Sequence, residues 1–572
     1  MFGDHHLRVP VGADAHRWRT FPAERVLVVA ARTVTSTVRT LEALPSLLRG
    51  DPRVAVVFAY DDTSAFNAGV LDVLHDAGCR VMPWGQLRDI SPDLVLTASE
   101  NIEVPEGDYP VLVLPHGVGF QKYVPDSRSS RTRLSGVVSD SLLASGRAWL
   151  AVSHPAQREQ LRSAHPESAG RTVLVGDPCL DEIVASRPLR RAYRKALGVA
   201  DHQRLVVVSS TWGPTSLLGR QPDLPARLLA GLCYDGHRVA AVVHPNVWSA
   251  HGAWQIRAHQ SAALDAGLLL MPPVHAWRAA VAAADVVVGD HGSVTLYAAA
   301  SGRPVLLAAF GEDSVAGTAA ADLAATAHHL DLHGNVPQQI EDAVREHRPE
   351  TYARLAERAF ADPGRALPRM RALLYELLKL PEPSSPPPAA RTLPVPDVVP
   401  TPVTAWEVVT SAAWGADEPA VQVTRFPASV APPAREDAAA MPGSFTHLAC
   451  CESESDSRLV ESASVVLGAR PASTAGGAQR WIRETLARLP GCLAAATTVR
   501  GGGCLVGLRD GRVVEATPTG VGRDPGLAAA AVYACVRAGA ALDDVWLKLR
   551  ITGVGDENVL VGLRPRLPAG DD

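Results

Sequence analysis

The chain has 572 residues, 47% hydrophobic and 20% charged, with a formal net charge of −5. This composition describes a packed protein rather than a disordered one, and the length implies about three to four domains. The charge offers no basic field for nucleic acid, no apolar run approaches the roughly 18–20 residues of a membrane span, and the N-terminal Met-Phe-Gly-Asp-His-His-Leu-Arg lacks a secretory pattern.

In chain order, the apolar runs Arg25–Ala31, Val54–Ala59, Leu94–Thr97, Val111–Leu114, Trp149–Val152 and Thr172–Val175 predict strands. Helical spacing lies between several of them, at Ser64–Ala77 and Pro155–Ser163. Continuous apolar strands alternating with helices indicate a parallel sheet covered on both faces. The pattern restarts with Leu205–Ser209, Val239–Val243, Gly267–Met271, Val286–Val288 and Val305–Ala308, and closes with helices at Tyr352–Phe360 and Pro368–Leu380. The fold class is therefore α/β, with two Rossmann-like domains, 1–185 and 186–380, facing each other across a cleft. Residues 381–403 form a proline-rich, semi-extended linker. A smaller α+β domain, 404–572, follows: a hairpin of Cys504–Leu508 and Val513–Ala516 around Asp510-Gly511, a helix at Pro525–Ala538, strands at Val545–Ile551 and Asn558–Leu563, and a flexible loop at Ala431–Gly443. Eight cysteines without a CxxC pair suggest buried thiols in a reducing cytoplasm and argue against a zinc site.

Two histidines stand directly after apolar strands, His116 in Leu-Pro-His-Gly and His244 in Val-Val-His-Pro-Asn. The carboxyl ends of parallel strands face the crevice where α/β sheets bind ligands. There an imidazole can take a proton from a hydroxyl or donate a hydrogen bond to developing phosphate charge; the alternative for each is a packing role. Lys122 could add a charge near the first ring. In Gly176-Asp177-Pro178-Cys179-Leu180-Asp181, Gly and Pro make a turn best read as an interdomain hinge, with Asp181 capping the next helix. The hydroxyls of Ser209-Ser210-Thr211-Trp212 can meet phosphate or ribose, or cap their own helix. Asp290-His291-Gly292-Ser293 opens a helix and reads as an anion-holding turn, with a simple N-cap as the alternative. His328-His329 and His333 read as solvated surface, and Tyr60-Asp61-Asp62-Thr63 as a helix cap. No HExxH, carboxylate cluster or GxSxG elbow is present.

Taken together, His116-Gly117, Gly176-Asp177-Pro178-Cys179-Leu180-Asp181, Ser210-Thr211-Trp212, His244-Pro245, Asp290-His291-Gly292-Ser293 and Arg303-Pro304-Val305 occur in an order that resembles the CDP-glycerol glycerophosphotransferase (teichoic-acid polymerase) family. The resemblance covers roughly residues 110–310. The family's Tyr-Ser is His291-Gly292 here, its Pro-Thr-Trp-Arg is Ser210-Thr211-Trp212-Gly213, and its lysine falls one place later, at Lys122. The resemblance implies a GT-B fold, His116 as base, His244 on the donor phosphate, and Ser293 with the Asp290 turn on the nucleotide diphosphate. Gly117, Lys122, Ser209, Thr211, Trp212, Pro245, His291 and Gly292 complete the implied donor site. The expected protein is a cytoplasmic transferase without cofactor or bound metal. It would move a glycerol-phosphate or glycosyl unit from a nucleotide-diphosphate donor to a hydroxyl acceptor in cell-envelope or polysaccharide synthesis, and a membrane-recruited polymerase would touch the inner membrane face peripherally. Competing readings are a UDP-N-acetylglucosamine 2-epimerase-like enzyme and a GT-B-fold binding or scaffold protein.

Overall fold

In the computed structural model, which describes residues 17, 20, 21, 23–125, 132–413, 419–430, 443–519, 524–554 and 559–565, two parallel sheets and a closed barrel follow one another along the chain. The first sheet uses β1 (Arg25–Ala31), β2 (Val54–Tyr60), β3 (Val81–Pro83), β4 (Leu94–Thr97) and β5 (Val111–Val113). A two-stranded ribbon, β6 (Tyr123–Pro125) and β7 (Thr132–Leu134), interrupts it before β8 (Ala148–Val152) and β9 (Thr172–Leu174). The strand order is β3-β2-β1-β4-β5-β8-β9, so all strands stay parallel while the side on which new strands are added switches between β1 and β4. Leu27, Val28, Val29, Val57, Leu94 and Val111 are fully buried, as expected of strands covered on both faces. The expected helix at Ser64–Ala77 is shorter, Val70–Asp76, because residues 61–69 turn across the cleft mouth instead.

The second sheet comprises β10 (Arg204–Ser210), β11 (His237–Val243), β12 (Leu269–Leu270), β13 (Val286–Gly289), β14 (Val305–Leu307) and β15 (His328–His329), in the order β12-β11-β10-β13-β14-β15. His328 and His329 are exposed, as read, yet they form an edge strand beside β14. The helix Ala366–Leu377 leaves this half and returns to the first: Leu367, Met370, Leu374 and Tyr375 share a core with Leu27, Val29 and Leu94. Residues 366–380 thus pack with the first sheet, across the boundary expected at 186. The proline-rich segment is irregular but pinned along the second domain, where Leu393 N–H donates to Ser186 Oγ (2.8 Å) and Tyr193 OH donates to Leu393 O (2.8 Å).

The C-terminal region corrects the expectation of a simple α+β domain. Its nine strands, β16 (Ala405–Ala413), β17 (Ala420–Pro427), β18 (Ser444–Cys451), β19 (Val465–Leu467), β20 (Ala494–Thr498), β21 (Cys504–Leu508), β22 (Val513–Thr519), β23 (Val545–Ile551) and β24 (Val559–Pro565), close into a barrel of mixed parallel and antiparallel pairs. The helix Pro525–Arg537 packs against every strand from β16 to β22, and its residues from Gly526 to Cys535 are all buried. A helix apolar on all sides must be enclosed, and Leu-Ala-Ala-Ala-Ala-Val supplies side chains small enough for the space. The barrel docks on the second domain through Arg425, buried between Asp235 (2.5 Å) and Asp524 (2.6 Å). The flexible loop expected at 431–443 lies outside the described residues except for Gly443.

Inside the barrel, the His447 ring lies 4.1 Å from that of Tyr533 on the enclosed helix, and neither ring nitrogen has a hydrogen-bond partner. Burial pushes its pKa down to about 3. The unfolded chain, with an imidazole near about 6.5, therefore takes up this proton first as pH falls, and stability is lost from about pH 6.5 downward. Between pH 7 and pH 5 the wild type should lose about 2 kcal/mol more than His447→Leu. Denaturant midpoints of both proteins at the two pH values check this.

Candidate functional site

The carboxyl ends of both sheets meet across a cleft of about 520 Å³. One buried carboxylate joins its two sides. Asp177 caps the helix Pro178–Ala185 through Cys179 N–H (2.8 Å) and Leu180 N–H (3.1 Å), and it accepts from Arg39 of the first domain (3.3 Å) and the Tyr297 hydroxyl of the second (2.7 Å). The cap predicted for Asp181 is thus made by Asp177. Asp181 instead accepts from Gly364 N–H and Ala366 N–H, anchoring the start of the returning helix. Gly176 makes this turn at φ +86°, a conformation that favours glycine.

His116 lies past β5 with its side chain 33% exposed and its ring lining the cleft. Its Nδ1 is 3.0 Å from the Ala98 carbonyl and 3.7 Å from Glu100. A carbonyl can only accept, so Nδ1 carries the hydrogen and Nε2 of the neutral ring keeps its lone pair. Glu100 is itself held by Arg133 (3.1 Å). Burial would raise its pKa, but the charge His116 carries when protonated and the Arg133 guanidinium hold it below the usual carboxylate value.

His244 has the opposite arrangement. It caps the helix Pro245–His259, and its Nδ1 accepts from Asn246 N–H (3.1 Å). The neutral ring therefore carries its hydrogen on Nε2 and is a donor there. Burial first, with the Lys122 charge adding to it, holds its pKa well below the ordinary imidazole value, so the ring stays neutral at physiological pH. Lys122 reaches across to Thr211 Oγ1 (3.4 Å), and its ammonium lies 5.0 Å from the Trp212 ring centroid. Burial lowers its pKa, against the opposing charges of Asp313, Asp290 and Glu100. Trp212 also meets Phe66 of the first domain, with ring centroids 5.5 Å apart.

The structure brings His116, Gly117, Lys122, Ser209, Thr211, Trp212, His244, Pro245, Gly292 and Ser293 to one cleft wall or the other. His291 also lines the cleft, with its side chain fully buried, whereas Asp290 lies behind the wall. Asp290 is fully buried, and its oxygens accept from Thr211 N–H, Leu217 N–H (each 2.8 Å) and Gly292 N–H (2.9 Å), so it holds the 211–217 loop. The His291 Nδ1 accepts from Gly311 N–H and its Nε2 donates to Asp313, each at 3.1 Å, which braces the loop facing Lys122. A polar group buried beneath a turn must satisfy that turn's backbone first. Ser293 opens the helix Ser293–Ala300, but its Oγ accepts from Val118 N–H (3.1 Å) across the cleft.

Sequence reasoning missed Glu100, Arg133 and Phe66. Glu100 stands just past β4, so the strand-end rule that finds His116 would have found it. Arg133 and Phe66 lie in a ribbon and a turn that carry no such signal. Among the described residues, no group of three or more His, Cys, Asp and Glu side chains is placed to hold a metal ion, and no helix is long and apolar enough to cross a membrane.

No protein-family model and no curated protein matches the chain. Among solved structures, the chain is similar to the wall teichoic acid polymerase TagF, at 12% identity over 62% of this chain and 89% of that one, with a TM-score of 0.39. It is also similar to UDP-GlcNAc 2-epimerase from Neisseria meningitidis, at 14% identity, 62% and 99% coverage and a TM-score of 0.41. A glycosyltransferase from Rickettsia africae has 10% identity, 62% and 98% coverage and a TM-score of 0.36.

At Gly117, an added Cβ would lie 2.7 Å from Ser293 Oγ, which is already bonded to the neighbouring Val118 N–H. Gly117→Ala should therefore cost about 1–3 kcal/mol of stability as an overpacking change. A double-mutant cycle with Ser293→Ala should show favourable coupling, measured by denaturant unfolding.

Proposed function

We propose that this chain is a transferase that takes a phosphoryl-linked or glycosyl unit from a nucleotide-diphosphate donor to a hydroxyl acceptor. The observation that carries this reading is the opposed hydrogen placement on the two cleft histidines. His116 presents a lone pair at Nε2 and His244 presents an N–H at Nε2, so one suits a base and the other suits an anion contact. His116 would accept the acceptor's hydroxyl proton as the new bond to phosphorus or to the anomeric carbon forms. The leaving nucleotide would depart with its negative charge met by His244, Lys122 and the free N–H groups opening the helix Ser293–Ala300. The order of motifs along the chain supports a glycerol-phosphate or glycosyl donor linked to CDP or UDP, and the reading extends to a role in cell-envelope or polysaccharide synthesis on the cytoplasmic side of the membrane.

An epimerase reading needs an acid or base in the cleft, and Glu100 supplies a carboxylate near His116. That carboxylate is buried and committed to Arg133, which favours a positioning role. Incubation with UDP-GlcNAc and analysis of the sugar product separates the two: epimerised sugar without transfer sinks the transferase reading.

The histidines should separate in their kinetics. His116→Ala should lower the transfer rate about 10²-fold or more while leaving CDP or UDP affinity in calorimetry unchanged. His244→Ala should weaken binding of the same nucleotide about tenfold, near 1.4 kcal/mol. Equal loss of nucleotide affinity in both variants would contradict the assignment of roles.

A further inference from the structure

Lys122 is a partly buried ammonium in the cleft, and among the described residues no carboxylate lies within ion-pair distance of it. Its hydrogen bond to Thr211 Oγ1 is long, at 3.4 Å. A cation drawn out of water without a counter-ion is costly to keep. Three carboxylates act on it from further off, Asp313 most strongly, then Asp290 and Glu100. Each of them is bonded elsewhere. Asp290 is fully buried against three backbone N–H groups, and Glu100, also buried, holds Arg133. Asp313 differs, because its carboxylate is 28% exposed and its loop pairs directly with the Lys122 segment. There Tyr123 N–H donates to Asp313 O (2.7 Å), Val315 N–H donates to Gln121 O (2.9 Å), and Lys122 stands opposite Ser314.

His291 keeps this carboxylate from the ammonium. Its Nδ1 accepts from Gly311 N–H, so the neutral ring carries its hydrogen on Nε2 and donates it to Asp313 Oδ2 at 3.1 Å. The Thr215 hydroxyl donates to Oδ1 at 3.3 Å. The ring is enclosed, and Phe310 meets it edge-on with centroids 5.6 Å apart, so it has little freedom to turn. Space around the pair is equally tight. A Cβ on Gly311 would strike Asp313 Oδ1 and lie 2.7 Å from His291 Cε1.

We infer that His291 is a positioning residue that ties Asp313 back, so that Lys122 stays unpaired and available to a phosphate of the donor. This rests on the transferase reading and deepens it by naming the residue that sets the availability of the cleft's cation. A carboxylate turned onto Lys122 would compete with the ligand's phosphate for the ammonium and would repel that phosphate as well.

The test uses the full chain. His291→Asn keeps an acceptor for Gly311 N–H but no longer reaches Asp313, whereas His291→Gln retains a donor near the Nε2 position. Calorimetry with CDP and with UDP first establishes which nucleotide the wild type binds. His291→Asn should bind that nucleotide about tenfold more weakly. His291→Gln, and His291→Asn combined with Asp313→Asn, should both return to within about twofold of wild type. The chain has four lysines, Lys122, Lys195, Lys379 and Lys548, so reductive ¹³C-methylation gives each its own NMR titration. The Lys122 signal, assigned by its loss in Lys122→Arg, should titrate about one pH unit higher in His291→Asn and return in the double variant.

Unchanged affinity or an unchanged Lys122 midpoint in a His291→Asn protein with wild-type circular dichroism overturns the proposal. So does a double variant as weak as the single one, the mark of a merely structural ring. Should His291→Asn not fold, Thr215→Val, which releases Oδ1 alone, should move both readouts the same way by about threefold or less, and no movement overturns the proposal. If neither nucleotide binds the wild type, the transferase reading fails, and the Lys122 midpoints still decide the role of His291.

Discussion

The architecture depends on a single carboxylate. Asp177 lies where the chain passes from the first sheet to the second, and it accepts at once from its own helix start, from Arg39 and from Tyr297. Because Arg39 also donates to the Pro115 carbonyl, the same node reaches the backbone just before His116. Burial raises the Tyr297 hydroxyl's pKa well above its ordinary value, with the Asp177 charge adding to it, so the phenol remains a donor. A buried charge so heavily bonded tolerates little displacement, and that holds the two strand-end surfaces in register.

Within that frame, one residue type does two jobs. His116 and His244 each follow the carboxyl end of a parallel strand, β5 in one sheet and β11 in the other, yet a carbonyl faces Nδ1 of one and a backbone N–H faces Nδ1 of the other. The local turn thereby decides which ring nitrogen presents a lone pair to the cleft. The same economy explains Asp290 and His291, whose polar atoms are consumed in shaping the loops that carry Thr211 and Asp313.

The barrel stands apart from this chemistry. Its enclosed helix fills the interior with alanine and valine, and its docking centre places Arg425 between two carboxylates and against the rings of Tyr234 and Trp406. That contact falls on the loop before β11, at the opposite end of the strand from His244.

Much of the two-sheet body was legible along the chain, since buried parallel strands are uninterrupted apolar runs and their carboxyl ends mark the cleft. The strand β3 and the barrel strands β16 to β20 were not, because they are short or alternate apolar with polar residues, and closure depends on partners far apart in sequence. By itself the sequence determined the α/β class, the two strand-end histidines and the loops that carry hydroxyls, all features set by local periodicity. Only the tertiary structure decided which polar groups remain free. The hydrogen on each imidazole, the burial of Asp290 and the pairing of Arg32, Arg39 and Arg133 follow from neighbours up to 138 residues away, and hydrogen-bonding capacity is consumed by contacts in space rather than by neighbours along the chain.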